Sequence, residues 1–150
     1  MSIKIKDRLL LAALCGPLAA ACANLFLFAV NLFLPGKTVN MPQVTLEIFL
    51  IVGSYTALQR VLGFIWSLVI GGAYTFVYVL VLDWTGWRHL WLKALVVVNA
   101  SWLFMAGYVM NSLALAVETR HEPLSIAAFF VAHIFFATVM ALLVIKFGEE

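Results

Sequence analysis

Apolar and polar positions along the chain sort into four long apolar stretches, Leu9 to Leu34, Val61 to Leu82, Leu92 to Val117 and Leu124 to Ile145, divided by short polar breaks. A helix rises about 1.5 Å per residue, so each stretch exceeds the ~20 residues needed to cross a hydrocarbon core roughly 30 Å thick. Open-chain backbone satisfies its own hydrogen bonds in lipid only as a helix. The pattern therefore predicts an all-α integral membrane protein, with four transmembrane helices in a bundle and one domain over residues 1–150. Pro35 and Gly36 close the first helix, and Lys37 to Gln43, with Pro42, reads as an exposed loop. Val44 to Leu58 is apolar but too short to span, carries Glu47, and puts Gln43, Glu47 and Ser54 near one stripe. It predicts a short interfacial or re-entrant helix between the first and second spans.

Charge then orients the spans. With four crossings and an inner N-terminus, Lys4, Lys6, Arg8, Arg88, Lys93 and Lys146 face the cytoplasm, against Lys37, Arg60 and Arg120 outside. A fifth crossing at 44–58 would even the split to five against four. The positive-inside rule favours four spans with both termini cytoplasmic. Trp84, Trp87 and Trp91 mark a membrane boundary at the middle loop, because indole rings settle among headgroups.

Composition agrees and narrows the partners. Hydrophobic residues make up 65% and charged residues 11% of the 150, more apolar surface than a soluble core of this size can hide. A net charge of +2, dispersed beside the apolar runs, excludes nucleic acid as an expected partner and leaves the lipid bilayer. Lys4, Lys6 and Arg8 before an apolar run also resemble a secretory signal, with Leu18 to Cys22 loosely like a lipoprotein cleavage site. Asn24 to Leu34 continues the run past that point, so a retained first helix is expected. Cys15 and Cys22, seven apart on one helix, read as apolar packing residues that cannot reach disulfide geometry. No organelle address is present, and a prokaryotic plasma (inner) membrane is the simplest location.

Small residues recur at four-residue steps, Ala12, Gly16 and Ala20 in the first helix and Gly63, Ser67 and Gly71 in the second. Such stripes let helix backbones approach closely, which matters in lipid, where apolar side chains gain nothing by leaving the tails. Pro17 is tolerable in the early turns of its helix.

Candidate chemistry rests on polar groups within the spans: Asn24, Asn31, Asn99, Asn111 and His133. Asn24 and Asn31 share a face with Ala20, opposite the cysteines by heptad reckoning. Under the expected topology Asn24, Asn31, Asn111 and His133 fall in the outer half or near the midplane and converge, with Glu47 and Arg60 flanking an entrance beneath a lid at 44–58. Each asparagine also has a packing role, a hydrogen bond to a neighbouring helix. His133, among Phe129, Phe130 and Phe136, is expected neutral. It suits a structural bond to an asparagine, a ligand or quinone contact, or haem ligation, although a second buried histidine for haem is missing. His89 and His121 sit in loops. Glu118 and His121 have metal-site spacing, but the further glutamates that carboxylate-bridged bundles use are missing, so no metal is expected.

The spans contain no acidic residue, which removes the carboxylate of a proton-coupled exporter. No phosphate-cradling glycine loop, nucleophile triad or HExxH occurs, and no enzyme activity is expected. Two functions fit. The first is a structural or accessory membrane subunit, homo-oligomeric or docked to a larger complex through its small-residue faces; packing and topology suffice for it, so it is the first expectation. The alternative is a lipid-, quinone- or small-solute-binding or transport module using the outer polar pocket.

Overall fold

Capping chemistry sets where the helices begin. The computed structural model describes residues 4–34, 40–50, 56–117 and 121–149. The helices are α1 (Arg8–Phe33), α2 (Met41–Glu47), α3 (Ala57–Thr85), α4 (Leu90–Ser112) and α5 (Pro123–Phe147). Asp7 opens α1 by accepting from the Leu10 N–H at 2.8 Å. Thr56 and Gln59 form a reciprocal capping box that opens α3. Proline in the first turn starts both α2 and α5, where its missing N–H costs nothing. All but α2 are long and apolar enough to cross a membrane. No strand occurs among the described residues; one isolated bridge pairs Ile5 with Gly148.

The segment expected as one short helix at 44–58 is divided. Pro42 starts α2 before Val44, and the Thr56 cap assigns Ala57 and Leu58 to α3. Helix α3 also runs past Leu82, which takes Asp83 into its last turn. Gly36, Lys37, Ser54, Glu118 and Arg120 lie outside the described residues.

Burial follows four-residue rows. In α1 the buried positions include Ala12, Gly16, Ala20 and Asn24 beside Leu11, Cys15, Ala19, Ala23 and Leu27; in α3 they include Gly63, Ser67, Gly71, Thr75 and Val79. Helix α5 repeats the device with Ser125, Phe129, His133, Ala137 and Ala141. Such rows slant across a helix and interlock as ridges in grooves. The slant explains why Cys15 and Asn24, opposite by heptad reckoning, are both buried.

At the α1–α3 crossing the backbones touch. A methyl group added at Gly16 would lie 2.5 Å from the Gly72 Cα, and one at Gly71 would lie 2.6 Å from the Ala20 Cβ and 2.8 Å from the Gly16 carbonyl oxygen. A methyl at Gly63 would meet the Pro42 carbonyl, so α2 seats on α3 just as closely. The Thr45 hydroxyl reinforces that seat, 2.9 Å from the Gly63 carbonyl and 3.0 Å from that of Pro42. The small-residue stripes are thus spent inside the chain.

The two chain ends meet at one end of the bundle. The Ile5 N–H donates to the Phe147 carbonyl at 2.7 Å, Lys4 Nζ reaches the Gly148 carbonyl at 2.9 Å, and Arg8 pairs with Asp83 at 3.0 Å while lying 5.1 Å from the centre of the Trp87 ring. At the α3–α4 turn Lys93 donates to the Thr85 and Gly86 carbonyls, placing a cation on the negative end of α3. Trp84 is exposed, whereas Trp87 is half-buried against Gly148.

Neighbouring glycines test the crossing. Gly71→Ala should destabilise by about 1–3 kcal/mol, the usual cost of overpacking, because its methyl meets backbone. Gly72→Ala should stay near neutral, since the nearest atom to its methyl is 3.8 Å away. Reversible unfolding in mixed micelles measures both; equal effects would refute the backbone contact.

Candidate functional site

Five helices contribute to one hollow. Beneath α2, and walled by α1, α3, α4 and α5, lies a cavity of about 70 Å³. Met41, Val44, Thr45 and Ile48 roof it, Ala20, Ser67 and Gly71 line it near the α1–α3 crossing, and His133 enters from α5. Small side chains at the crossing leave space that the larger residues above do not fill.

His133 is 8% exposed and its Nδ1 is 2.9 Å from the Phe129 carbonyl one turn earlier. A carbonyl only accepts, so Nδ1 carries the proton and donates; in the neutral ring Nε2 then holds a lone pair. No hydrogen bond to Nε2 is formed among the described residues. Phe129 packs edge-on at 4.6 Å between ring centres, and Trp102 lies at 6.3 Å. The expected bond from His133 to an asparagine is therefore replaced by one to its own helix, because a carbonyl one turn back is always within reach while Asn24 is held elsewhere.

Asn24 Nδ2 donates to Ser67 Oγ at 2.8 Å, and Ser67 Oγ donates to the Phe64 carbonyl at 2.7 Å. Asn24 Oδ1 is buried without a partner. Asn24 and Asn31 border a separate, larger hollow of about 340 Å³ with Asn40, Pro42 and Phe64. The Asn24–Ser67 pair stands between the two spaces, its serine lining the first and its asparagine the second. Asn111 is exposed and lines neither. The four polar residues expected to converge are thus distributed over two hollows and the surface.

Arg60 is exposed in the first turn of α3. Glu47 lines neither hollow: Oε1 accepts from Gln43 Nε2 and Oε2 from the Ala116 N–H, both at 2.8 Å. That bond ties α2 to the turn after α4, where Ala114 and Ala116 take left-handed backbone angles, φ 51° and 48°. Such angles are costly with a side chain, and Glu47 helps hold one of them. His89 and His121 are exposed.

The lining also holds residues that sequence reading missed. Met41, Met105 and Met110 converge on the cavity, as does Tyr74, whose hydroxyl makes no hydrogen bond among the described residues. Met105 and Met110 come together through a π-helical turn at Met105–Val109, where the Met110 N–H donates to the Met105 carbonyl. Spacing by five carries no recognisable signal in a regular helix. Asn99 Oδ1 and Trp102 Nε1 on α4 are buried and unpartnered, and no group of three His, Cys, Asp or Glu residues suited to a metal occurs among the described residues.

A cavity that accepts benzene measures about 150 Å³. The space beside His133 is about half that. Comparison with known families, curated proteins and solved structures found no match.

A double-mutant cycle on Asn24→Ala and Ser67→Ala tests the pair between the hollows. Interhelical hydrogen bonds in a membrane average about 0.6 kcal/mol and reach ~1.7, and the coupling should fall in that range. A coupling of zero would detach Asn24 from Ser67.

Proposed function

We propose that this chain is a small-solute-binding module embedded in the plasma membrane, its site the cavity beneath α2. The observation that carries the reading is His133, nine-tenths buried, lining a cavity that all five helices build, with one ring nitrogen uncommitted. An ionisable side chain within a membrane-spanning helix is a functional candidate by default. A small solute suits the volume better than a quinone or haem.

In this reading α1, α3, α4 and α5 cross the bilayer, α2 lies in the outer interface as a roof, and both termini are cytoplasmic. The meeting of the chain ends agrees with an even number of crossings. The gathering of Lys4, Arg8 and Lys93 with the chain ends and the α3–α4 turn agrees with the positive-inside rule.

A second reading, an accessory subunit within a homo-oligomer or larger membrane complex, draws on α4. Its most apolar window is 11% buried within the chain, against 33–44% for the other three long helices. Its outer face would then meet a partner helix as well as lipid.

Native mass spectrometry of protein released from its own membranes tests the module. Wild-type protein should retain a small bound mass that Val44→Trp, which fills the cavity, lacks while unfolding at a similar temperature. Identical adducts on both proteins would overturn the reading.

Orientation is checked separately with an impermeant maleimide on intact cells, in a background where Cys15 and Cys22 are alanine. Lys37→Cys should label and Arg88→Cys should stay silent. The reverse pattern would invert the topology.

A further inference from the structure

We propose that the solute is a monovalent soft metal ion, Cu(I), held by the thioether sulfurs of Met41, Met105 and Met110 together with Nε2 of His133. This deepens the small-solute reading and rests on it. The sequence holds five methionines, and three of them line this one cavity beside His133. They arrive from different elements, Met41 from α2 and the other two from α4, with the imidazole from α5.

The π turn in α4 supplies the independent observation. In a regular helix residues five apart point about 140° away from each other, at roughly 100° per residue. The hydrogen bond from the Met110 N–H to the Met105 carbonyl widens the turn and brings both side chains to the same cavity. Single π turns within α-helices frequently mark functional sites.

Donor chemistry selects the metal. Thioether sulfur is soft and uncharged, and with imidazole it favours Cu(I) over the harder divalent ions. Calcium and magnesium need oxygen ligands, and here the Thr45 and Ser67 hydroxyls are turned to backbone carbonyls. Zinc favours thiolate, imidazole and carboxylate, and neither a thiolate nor a carboxylate lines the cavity. The tautomer set by the Phe129 carbonyl already points a lone pair from Nε2, so no proton leaves on binding. All four donors are neutral and a single positive charge is buried, the smallest charge a metal ion carries. Coordination compensates for the lost hydration. The ion enters and leaves as Cu(I), and no electron is exchanged.

The test uses the full chain in dodecylmaltoside without oxygen, titrated with Cu(I) supplied as its acetonitrile complex, against the chelator bathocuproine disulfonate. Wild-type protein should withhold one Cu(I) per chain. Leucine nearly matches methionine in volume, so Met105→Leu with Met110→Leu should keep the fold yet weaken binding by more than the roughly 10–100-fold that losing a mere outer-shell partner costs. Met140→Leu, buried in the other core cluster, should bind as wild type does. A gap-filling role would be served equally well by leucine. Copper wholly surrendered to the chelator by wild-type protein, or held as tightly by the double leucine variant, would overturn the proposal. If wild-type protein surrenders copper while Val44→Trp still strips another small mass, the copper assignment falls and the small-solute reading stands. If Val44→Trp strips nothing and copper is surrendered, both fall.

Discussion

The contact of two backbones at Gly16 and Gly71 is the constraint on which the rest of the molecule depends. In lipid, apolar side chains gain nothing by leaving the tails, so association rests on dispersion between closely approaching surfaces. Glycine on both sides of the crossing allows that approach, and the four-residue rows that radiate from it set how α1, α3 and α5 interlock. The same narrowness creates the cavity. Ala20, Ser67 and Gly71 are too small to reach the roof that α2 lays across the helices, so a hollow remains beside their point of contact.

Inside that hollow, polar groups are few. Thr45 and Ser67 turn their hydroxyl hydrogens to backbone carbonyls, while the Tyr74 hydroxyl makes no hydrogen bond among the described residues. His133 commits one nitrogen to its own helix and leaves the other without a hydrogen bond among the described residues. The hydrogen bond from Nδ1 therefore does two things: it fixes the ring, and it decides that the exposed nitrogen is an acceptor. A ligand here would be selected by softness and size, because no charged side chain lines the hollow and its volume is small.

Helix α2 links these features to the rest of the chain. It rests on Gly63 through backbone contact and reaches the turn beyond α4 through Glu47, so the roof is joined at once to α3 and to the strained residues that end α4. A carboxylate in an apolar chain is conspicuous in sequence. Its partner, the N–H of Ala116, is invisible there, because every residue but proline carries one.

The four apolar runs determine by themselves that this chain forms four long helices apolar enough to cross a membrane, since a backbone of that length in hydrocarbon would have no other way to satisfy itself. The stripes at Gly16 and Gly71 were legible for the same reason: a missing side chain at four-residue spacing has one physical use. Which polar residues meet was decided only by tertiary structure. Asn24, Asn31, Asn111 and His133 look alike as polar interruptions in apolar runs, yet the slant of the ridges gives Asn24 to Ser67, leaves Asn111 on the surface and turns His133 inward. The convergence of Met41, Met105 and Met110 was equally hidden, because it brings residues from two helices together and involves a π turn, a departure from helical period that a pattern of apolar positions does not record.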